Sequence, residues 1–243
     1  FNCPADREVN LGGDHREWSH SLERDGGCLL KDRLRCEIAT PQTLDISGFI
    51  STYKEAFGGP PYFEEYTDCE IYEGVIAPHM KDGVVVYATD NETLIGFGCA
   101  IPFNRSPNDV REFLGSLSKD GRLPRSFDYE SSWYMSELGV RCSYRGMGIA
   151  WELVRLRMLQ VIAHGCSHYF MRTASVGSNS MPMYMKSGAI PVSQQQDVSS
   201  TEQATENHTQ SLQRIYLWGD CMASARKIEE IRHQKNYPLL DSQ

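Results

Sequence analysis

The chain lacks any apolar run long enough to span a membrane, although 40% of its 243 residues are hydrophobic. It also lacks excess positive charge: 24 Lys and Arg face 32 Asp and Glu, and the net charge of -8 argues against a nucleic-acid partner. Its eight cysteines form no Cys-x-x-Cys pair, so reduced thiols are expected. Because no signal peptide is recognisable either, we expect a cytoplasmic protein with no membrane partner.

Length and composition predict one main domain, and no internal repeat divides the chain. Residues 1–34 are polar and interrupted by two Gly-Gly pairs, which predicts an N-terminal appendage. Residues 35–243 are then a single domain. Within it, residues 104–131 exceed what a simple strand connection needs, and they predict an insert with a helix over Asn108–Ser116.

The predicted elements follow the order β-αα-ββ-(insert)-β-α-β-α-β-β. Leu34–Ile38 is the first strand, and Pro41–Phe57 the first helix, with Thr40 as candidate N-cap. Gly48 is unfavourable inside that helix. An acidic segment leads into a second helix that ends near Met80.

The most informative segment is Arg145–Ala150, with the sequence Arg-Gly-Met-Gly-Ile-Ala. Ser132–Val140 before it predicts a strand, and Trp151–Ala163 after it has apolar residues at helical spacing. At a helix start, free amides and the positive end of the helix dipole attract anions. The two glycines leave the backbone open to a phosphate, and the arginine adds a cation. The segment therefore predicts a diphosphate-binding turn.

Two common phosphate motifs do not fit this segment, because neither Gly-Lys-Ser/Thr nor Gly-x-Gly-x-x-Gly is present. The segment resembles motif A of the GNAT superfamily of N-acyltransferases, Arg/Gln-x-x-Gly-x-Gly/Ala, with Arg145, Gly148 and Ala150 at the fixed positions. Leu138-x-Val140 upstream also matches. The resemblance implies an α+β, sandwich-like GNAT fold over roughly residues 34–220. That fold has a mixed, mostly antiparallel sheet flanked by helices, with a splayed central strand pair.

A second block lies downstream of motif A. Ser167–Ala174 predicts a strand, and Ser178–Lys186 predicts a short helix. The end of this helix, Tyr184–Ala189, resembles the family signature Tyr-x-x-x-Gly-Phe/Ala. The family often carries Asn seven places before that Tyr, where this chain has Gly177. Asn179 lies two residues later and is a candidate for the same contact.

The resemblance implies an acyltransferase whose donor substrate is acetyl-coenzyme A and which needs no metal. The coenzyme is expected between the motif A strand and the strand after its helix. An alternative is that the motif A glycines only allow tight packing of strand against helix. The residues expected to bind the coenzyme are Leu138, Gly139, Val140, Arg145, Gly146, Met147, Gly148, Ile149, Ala150 and Asn179.

Acyl transfer from a thioester to an amine requires two proton transfers. Tyr184 is the candidate acid for the departing thiolate, a transfer that is uphill by about 2 kcal/mol; the alternative is an ordinary core tyrosine. A lysine-like amine costs about 4–5 kcal/mol to deprotonate at pH 7, so a base is expected. Glu137 is the candidate base, directly or through a water. Because adjacent strand residues face opposite sides, Glu137 is also consistent with a surface or structural carboxylate.

Three other groups of residues have simpler explanations. His164, Cys166 and His168 could ligate a metal, but they span a helix end and a strand start and lack a fourth ligand, so no metal is expected. The acidic residues 64–73 could attract a cationic acceptor, or they could be a solvated face. Residues 58–63 could form an acceptor-pocket wall or a packed turn.

The sequence thus predicts an N-acyltransferase that moves an acetyl group from acetyl-coenzyme A to a primary amine of a small molecule. Direct attack in a ternary complex is the expected mechanism, and the insert at 104–131 is a candidate lid. The alternative is a non-catalytic acyl-coenzyme A sensor or partner-interaction module, which would keep motif A and not depend on Tyr184. A monomer or homodimer is expected.

Overall fold

The computed structural model describes residues 33–175, 177–196 and 213–235. The predicted appendage therefore lies almost entirely outside the described residues. Within them, one sheet has the strand order β1-β2-β3-β4-β5-β7-β6, and every neighbouring pair is antiparallel except β4 and β5. This confirms the predicted mixed, mostly antiparallel sheet. The strands are β1 (Leu34–Ile38), β2 (Val84–Asp90), β3 (Thr93–Pro102), β4 (Trp133–Val140), β5 (His168–Ala174), β6 (Ile190–Gln196) and β7 (Gln213–Asp220).

Helices flank both faces of the sheet, which confirms the α+β class. A π-helical segment, Tyr72–Ile76, joins the second and third helices. Judged on the described ranges, no helix combines the length and apolar character that crossing a bilayer requires. The helices are α1 (Ile46–Phe57), α2 (Asp68–Ile71), α3 (Ala77–Asp82), α4 (Asn108–Lys119), α5 (Ile149–Ala163), α6 (Ser180–Lys186) and α7 (Cys221–Lys235).

Side chains alternate between the two faces of the sheet along each strand, and this alternation shows which helix packs on which face. Val85 and Tyr87 of β2 join the core under α1, whereas Val84 and Val86 join the core under α5 and α7. In β5, Phe170 joins a third core with α4, and its neighbours on both sides join the α5 core. The predicted insert therefore covers the same face as α1, further along the sheet.

The first helix begins later than the sequence predicted, at Ile46 rather than at residue 41. Thr40 and Thr43 form a turn instead, and the carboxylate of Asp45 accepts the amide hydrogen of Gly48 at 3.1 Å. A Cβ added at Gly48 would lie 2.3 Å from that carboxylate. Gly48, unfavourable by propensity, is thus the residue that leaves room for the cap.

A bulge and a divergence shape the centre of the sheet. The register between β3 and β4 shifts so that Met135 and Ser136 oppose the single residue Ala100. Strands β4 and β5 pair only at their N-terminal ends, Trp133 with Tyr169 and the next residue of each strand together. Beyond that point, the edge of β4 that faces β5 makes no strand pairing with it. We call it the open edge of β4. The predicted splayed strand pair is therefore confirmed.

Candidate active site

The motif A turn connects β4 to α5 with a backbone that requires glycine at two positions. Gly146 has φ 83° and Gly148 has φ 87°, in the left-handed region. Gly148 is the N-cap of α5, and no described side chain caps this helix end. The first-turn amides of α5 are thus available to a ligand. A Cβ added at Gly146 would meet no atom within 4 Å, so the turn borders open space that fits an anionic group.

The side chain of Arg145 folds back onto the scaffold. Its Nε donates to the Val140 carbonyl at 3.2 Å, and its Nη2 donates to the Ala56 carbonyl at 3.4 Å. These bonds tie the turn to the ends of β4 and α1. The backbone amides of the turn are therefore better placed than this guanidinium to bind phosphate oxygens.

The last residues of β4 present backbone groups toward the divergence. The amide of Arg141 donates to Ile95 on β3 at 2.9 Å. Backbone groups alternate in direction along a strand, so those of Leu138 and Val140 point toward the open edge. Gly139 lies between them, and a Cβ there would lie 2.5 Å from Phe97. Glycine at this position lets β4 pass close to the α1 core.

Glu137 projects on the α1 face of β4 and is only partly buried. The hydroxyl of Tyr53 donates to its carboxylate at 3.5 Å. Burial raises the pKa of Glu137 to about 7, and the nearby Glu64 carboxylate adds to the rise, whereas Arg214 and Arg172 oppose it. A carboxylate that titrates near neutrality and stays accessible is suited to accept a proton.

Two ion pairs lie near Glu137. One links β7 to the segment before α2, and the other links β5 to α4. Glu64 pairs with Arg214 of β7 at 3.1 Å, and both side chains are mostly buried. Arg172 of β5 pairs with Asp109 of α4 at 2.7 Å. We call Glu137, Tyr53, Glu64, Arg172 and Arg214 the Glu137 cluster. Each arginine of the cluster pairs with another carboxylate, so Glu137 has no cation of its own among the residues that the structure describes.

The predicted acidic run divides into parts with different roles. Glu64 belongs to the Glu137 cluster, whereas Glu70 accepts the Thr67 amide hydrogen at 2.7 Å in a capping box at the start of α2. Asp68 is exposed and pairs with Lys54 of α1. The run is therefore mostly a solvated, structural feature, with one residue at the site.

Tyr184 lies on the opposite face of β4 from the Glu137 carboxylate, and it is fully buried. Its hydroxyl accepts a hydrogen bond from Arg157 Nη2. Arg157 Nη1 also donates to the backbone carbonyls of Glu137, at 2.6 Å, and Cys99, at 2.7 Å. Burial raises the pKa of Tyr184, and the charge of Arg157 opposes that rise. One guanidinium thus connects the candidate acid to the strand that carries the candidate base.

Arg157 was missed by the sequence analysis. The available signal was that Arg157, one of two arginines in α5, shares the helical spacing of Leu153 and Val161, which line the core. A charged residue at such a position requires buried partners. The sequence alone does not identify them.

Asn179 is exposed at the N-cap of α6 and makes no capping bond through its side chain within the described part of the chain. Beside it, Thr173, Ser178 and Ser180 form a triangle of hydroxyls with 2.7 Å on each side. The hydroxyl of Tyr62 lies 3.4 Å from Thr173. Polar groups therefore line the end of β5 opposite the open edge of β4.

The turn at residues 58–63 contacts this end of β5. A Cβ added at Gly177 would lie 3.2 Å from Pro61, so the position where the family often has Asn lies against the proline turn. Phe63 ends the turn with φ 50° and is exposed. The turn is packed against the site at one end and exposes an aromatic ring at the other.

His164, Cys166 and His168 have structural contacts. His164 stacks on Trp133 with 5.2 Å between ring centroids. The Cys166 thiol donates to the His168 carbonyl at 2.8 Å. Among the residues that the structure describes, no three His, Cys, Asp or Glu side chains are grouped so that they could hold a metal ion.

Comparison with known proteins identifies the family. The model of the acetyltransferase (GNAT) family matches residues 48–189. The chain therefore belongs to the acetyltransferase (GNAT) family, which confirms the family and the class of enzyme that motif A indicated. A search of curated proteins found no match.

Solved structures share the fold at low sequence identity. An N-acetyltransferase from Staphylococcus aureus Mu50 has 14% identity and a TM-score of 0.55 over 77% of this chain and 99% of that chain. The putative acetyltransferase yncA from Salmonella typhimurium, solved with its cofactor acetyl-CoA, has 12% identity and a TM-score of 0.53 over 77% and 94%. The NatC complex bound to Gag peptide and CoA has 15% identity and a TM-score of 0.52 over 77% and 98%. These likenesses support the fold.

Proposed function

We propose that this protein transfers an acetyl group from acetyl-coenzyme A to a primary amine of a small molecule, by direct attack in a ternary complex. The observation that carries the proposal is the position of Glu137, a partly exposed carboxylate with a pKa of about 7 on the strand that leads into motif A. Tyr184 lies on the other face of the same strand. A candidate base and a candidate acid thus lie on opposite faces of the strand that has the open edge.

Several groups of this chain are suited to hold the donor. The first-turn amides of α5 face open space at Gly146 and fit the diphosphate. The backbone groups of Leu138 and Val140 on the open edge fit an extended amide-bearing arm. Asn179 and the hydroxyls beside it line the opposite side. The bound donor supplies the acetyl group as a thioester.

Glu137 takes the proton that the attacking amine must lose. Transfer from an amine of pKa about 10.4 to a carboxylate of pKa near 7 is uphill by about 4–5 kcal/mol. Transfer to a carboxylate at the ordinary value of 4.5 would cost about 3 kcal/mol more. The environment that raises the pKa of Glu137 thus lowers the cost of generating the neutral amine.

The remaining steps use β4 and Tyr184. Backbone amides on the open edge of β4 donate to the oxyanion that forms as the nitrogen–carbon bond is made. When the carbon–sulfur bond breaks, Tyr184 donates its proton to the sulfur, and the acylated nitrogen, which still carries one surplus proton, releases it to water. Glu137 then holds one proton more and Tyr184 one fewer, and exchange with solvent restores both after product release.

A small, cationic acceptor suits the surroundings of Glu137. The ionised carboxylate attracts an ammonium group, whereas both arginines of the Glu137 cluster are paired with carboxylates. Helix α4 covers the sheet face beside the cluster, which limits the room for a large partner. The NatC structure contains a peptide, so a protein N-terminus is the alternative acceptor to test. A cytoplasmic location stays a prediction.

Thermal unfolding and thiol release test the proposal together. Acetyl-coenzyme A at a hundred times its dissociation constant should stabilise the chain by about 2.7 kcal/mol, and ATP should not. Coenzyme A release is then measured with a panel of small amines and a panel of peptides with free N-termini. Turnover with small amines, reduced in Tyr184→Phe, supports the proposal. Binding without turnover on any amine would favour the non-catalytic sensor, and turnover on peptides alone would reject the small-molecule acceptor.

A further inference from the structure

Arg157 is a cation at the centre of the protein and has no carboxylate partner among the described residues. Its side chain has no exposed surface. Its described acceptors are the carbonyls of Cys99 and Glu137 and the hydroxyl of Tyr184, all of them neutral. Its Nε has no partner among the described residues. The guanidinium charge is therefore uncompensated by any described side chain.

Burying an unpaired charge costs several kcal/mol, and this helix shows that the fold can avoid that cost. One turn and a half earlier on α5, the buried Glu152 pairs with Arg232 of α7 at 2.8 Å. Arg157 has no such ion pair in the described part of the chain. A buried cation beside a candidate acid is suited to stabilise a negative charge that develops there during a reaction.

The hydrogen bonds also fix the direction of the Tyr184 proton. A guanidinium only donates, so the Tyr184 oxygen is the acceptor in this bond. The tyrosine O–H is consequently free to donate to another atom. The two carbonyl bonds of Nη1 hold the guanidinium against the bulged part of β4, which fixes the orientation of Nη2 toward the tyrosine.

We propose that Arg157 is a positioning residue for departure of the thiolate. It orients the Tyr184 hydroxyl so that its proton faces the sulfur, and its charge compensates the negative charge that develops as the carbon–sulfur bond breaks and the proton moves from Tyr184 to sulfur. This inference rests on the proposed function. It predicts that the free thiol of bound coenzyme A is more acidic than in water.

That acidity is measurable as a pH dependence of binding. A thiol in water has a pKa of about 8.5. If the bound thiol has a lower pKa, coenzyme A binds more tightly as the pH rises past the lowered value, whereas acetyl-coenzyme A, which has no thiol, does not. The relative affinity for coenzyme A should increase toward about tenfold for each pKa unit by which the bound thiol is lowered.

The other titratable groups around Arg157 and Tyr184 do not produce this trend. Burial lowers the pKa of His79 on α3 to about 4, raises that of Cys99 on β3 above its usual range, and raises that of Tyr169 on β5 to about 12. Burial raises the pKa of Glu137 on β4 only to about 7, so this carboxylate is mostly ionised at higher pH. A window from pH 7.5 to 9.5 therefore isolates the thiol.

The experiment measures dissociation constants of coenzyme A and acetyl-coenzyme A by calorimetry across this window, on the full chain. The wild-type ratio should shift severalfold in favour of coenzyme A, and Arg157→Met should abolish the shift. Arg157→Lys, which keeps a cation, should retain part of it. Lys186→Met is the matched control, because it removes an exposed cation from the helix that carries Tyr184 and should leave the shift intact.

The outcomes separate this inference from the proposed function. A wild-type ratio that does not change with pH overturns the role of Arg157, while acetyl-coenzyme A binding and amine turnover would still sustain the enzyme. Persistence of the full shift in Arg157→Met also overturns it. Absence of binding by either ligand overturns both proposals. Because the wild-type measurement is decisive alone, poor folding of Arg157→Met would not rescue the inference.

Discussion

The hydroxyl of Tyr53 lies 3.5 Å from a carboxylate oxygen of Glu137, which joins α1 to β4 at the candidate active site. Burial raises the pKa of Tyr53 far above its usual range, so this hydroxyl stays protonated and donates. Burial and the Glu64 carboxylate oppose ionisation of Glu137, whereas Arg214, Arg172 and the bond donated by Tyr53 favour it. The pKa of about 7 is the balance of these effects.

Replacing Glu137 with Gln tests the base directly. We expect kcat/KM for an amine acceptor to fall by about 10²–10⁴-fold at pH 7.5, because the variant cannot accept the proton. The wild-type pH profile should also show an acidic limb with an apparent pKa near 7, and the variant should lose that limb. Initial rates of thiol release from pH 5.5 to 9 measure both effects.

Glu65→Gln is the matched control for this variant, because Glu65 is an exposed carboxylate next to a member of the Glu137 cluster. Its activity and pH profile should equal those of the wild type. An unchanged rate in Glu137→Gln would contradict the role of Glu137 as base. The proton of the amine would then have to leave through a water molecule to another residue.

Glu137→Gln should also change stability, in a direction set by its pKa. The folded pKa of about 7 exceeds the ordinary value of 4.5, so stability from this group is fully present below pH 4.5 and is lost as the pH rises through 7. Between pH 4.5 and 8, the difference in unfolding free energy should move in favour of the variant by up to about 3 kcal/mol. Urea denaturation of both proteins at the two pH values measures it, and a constant difference would refute the raised pKa.

Gly146→Ala tests the motif A turn as a binding site for the donor. The left-handed φ of 83° makes alanine unfavourable by about 1 kcal/mol, and the new methyl group occupies the open space beside the free amides. We expect the affinity for acetyl-coenzyme A to fall at least about tenfold with the fold retained. Titration calorimetry measures the affinity, and circular dichroism verifies the fold.

The matched control is Gly165→Ala at the other end of the same helix. Gly165 has φ 79° and also has no atom within 4 Å of an added Cβ. It therefore carries a similar backbone cost but lies away from the turn. Equal loss of affinity in both variants would mean that strain, and not the binding turn, explains the effect.

The features that the sequence predicted are local ones. The Gly146 and Gly148 turn follows from a strand, two glycines and a helix in succession, each of which depends on neighbouring residues. The first strand, Leu34–Ile38, was predicted to the residue for the same reason. Tyr184 and Glu137 were found through the family resemblance, and their roles stay predictions.

The features that were missed depend on residues far apart in the chain. Arg157 becomes informative only when Cys99 and Tyr184 lie beside it, 58 and 27 residues away. The bulge at Ser136 requires the register with β3. The start of α1 depended on the choice between two cap residues, and the space that Gly48 leaves for the Asp45 carboxylate decided it. The spacing of apolar residues along the sequence carries none of this information.

The last prediction concerns His79, whose titration changes the unfolding free energy in the direction opposite to that of Glu137. Its two ring nitrogens lie 2.6 Å from the Val75 carbonyl and from the Ser136 hydroxyl in the β4 bulge. Since the carbonyl can only accept, Nδ1 carries the proton. The Ser136 hydroxyl lies within reach of both Nε2 and the Cys99 carbonyl, at 3.2 Å from the latter, and it donates to Nε2 when the ring is neutral. Burial favours that neutral form and lowers the pKa of His79 to about 4.

The folded pKa of His79 lies below the ordinary value of 6.5, so its contribution to stability is present above pH 6.5 and is lost as the pH falls toward 4. The loss should reach about 3 kcal/mol, and His79→Gln, which cannot titrate, should not show it. Between pH 4.5 and 6.5 the titration of Glu137 changes the unfolding free energy in the opposite direction. The wild-type curve of unfolding free energy against pH can therefore look flat. Denaturation of wild type, His79→Gln and Glu137→Gln at pH 4.5 and 7 separates the two effects, and parallel wild-type and His79→Gln curves would show that His79 is not held neutral.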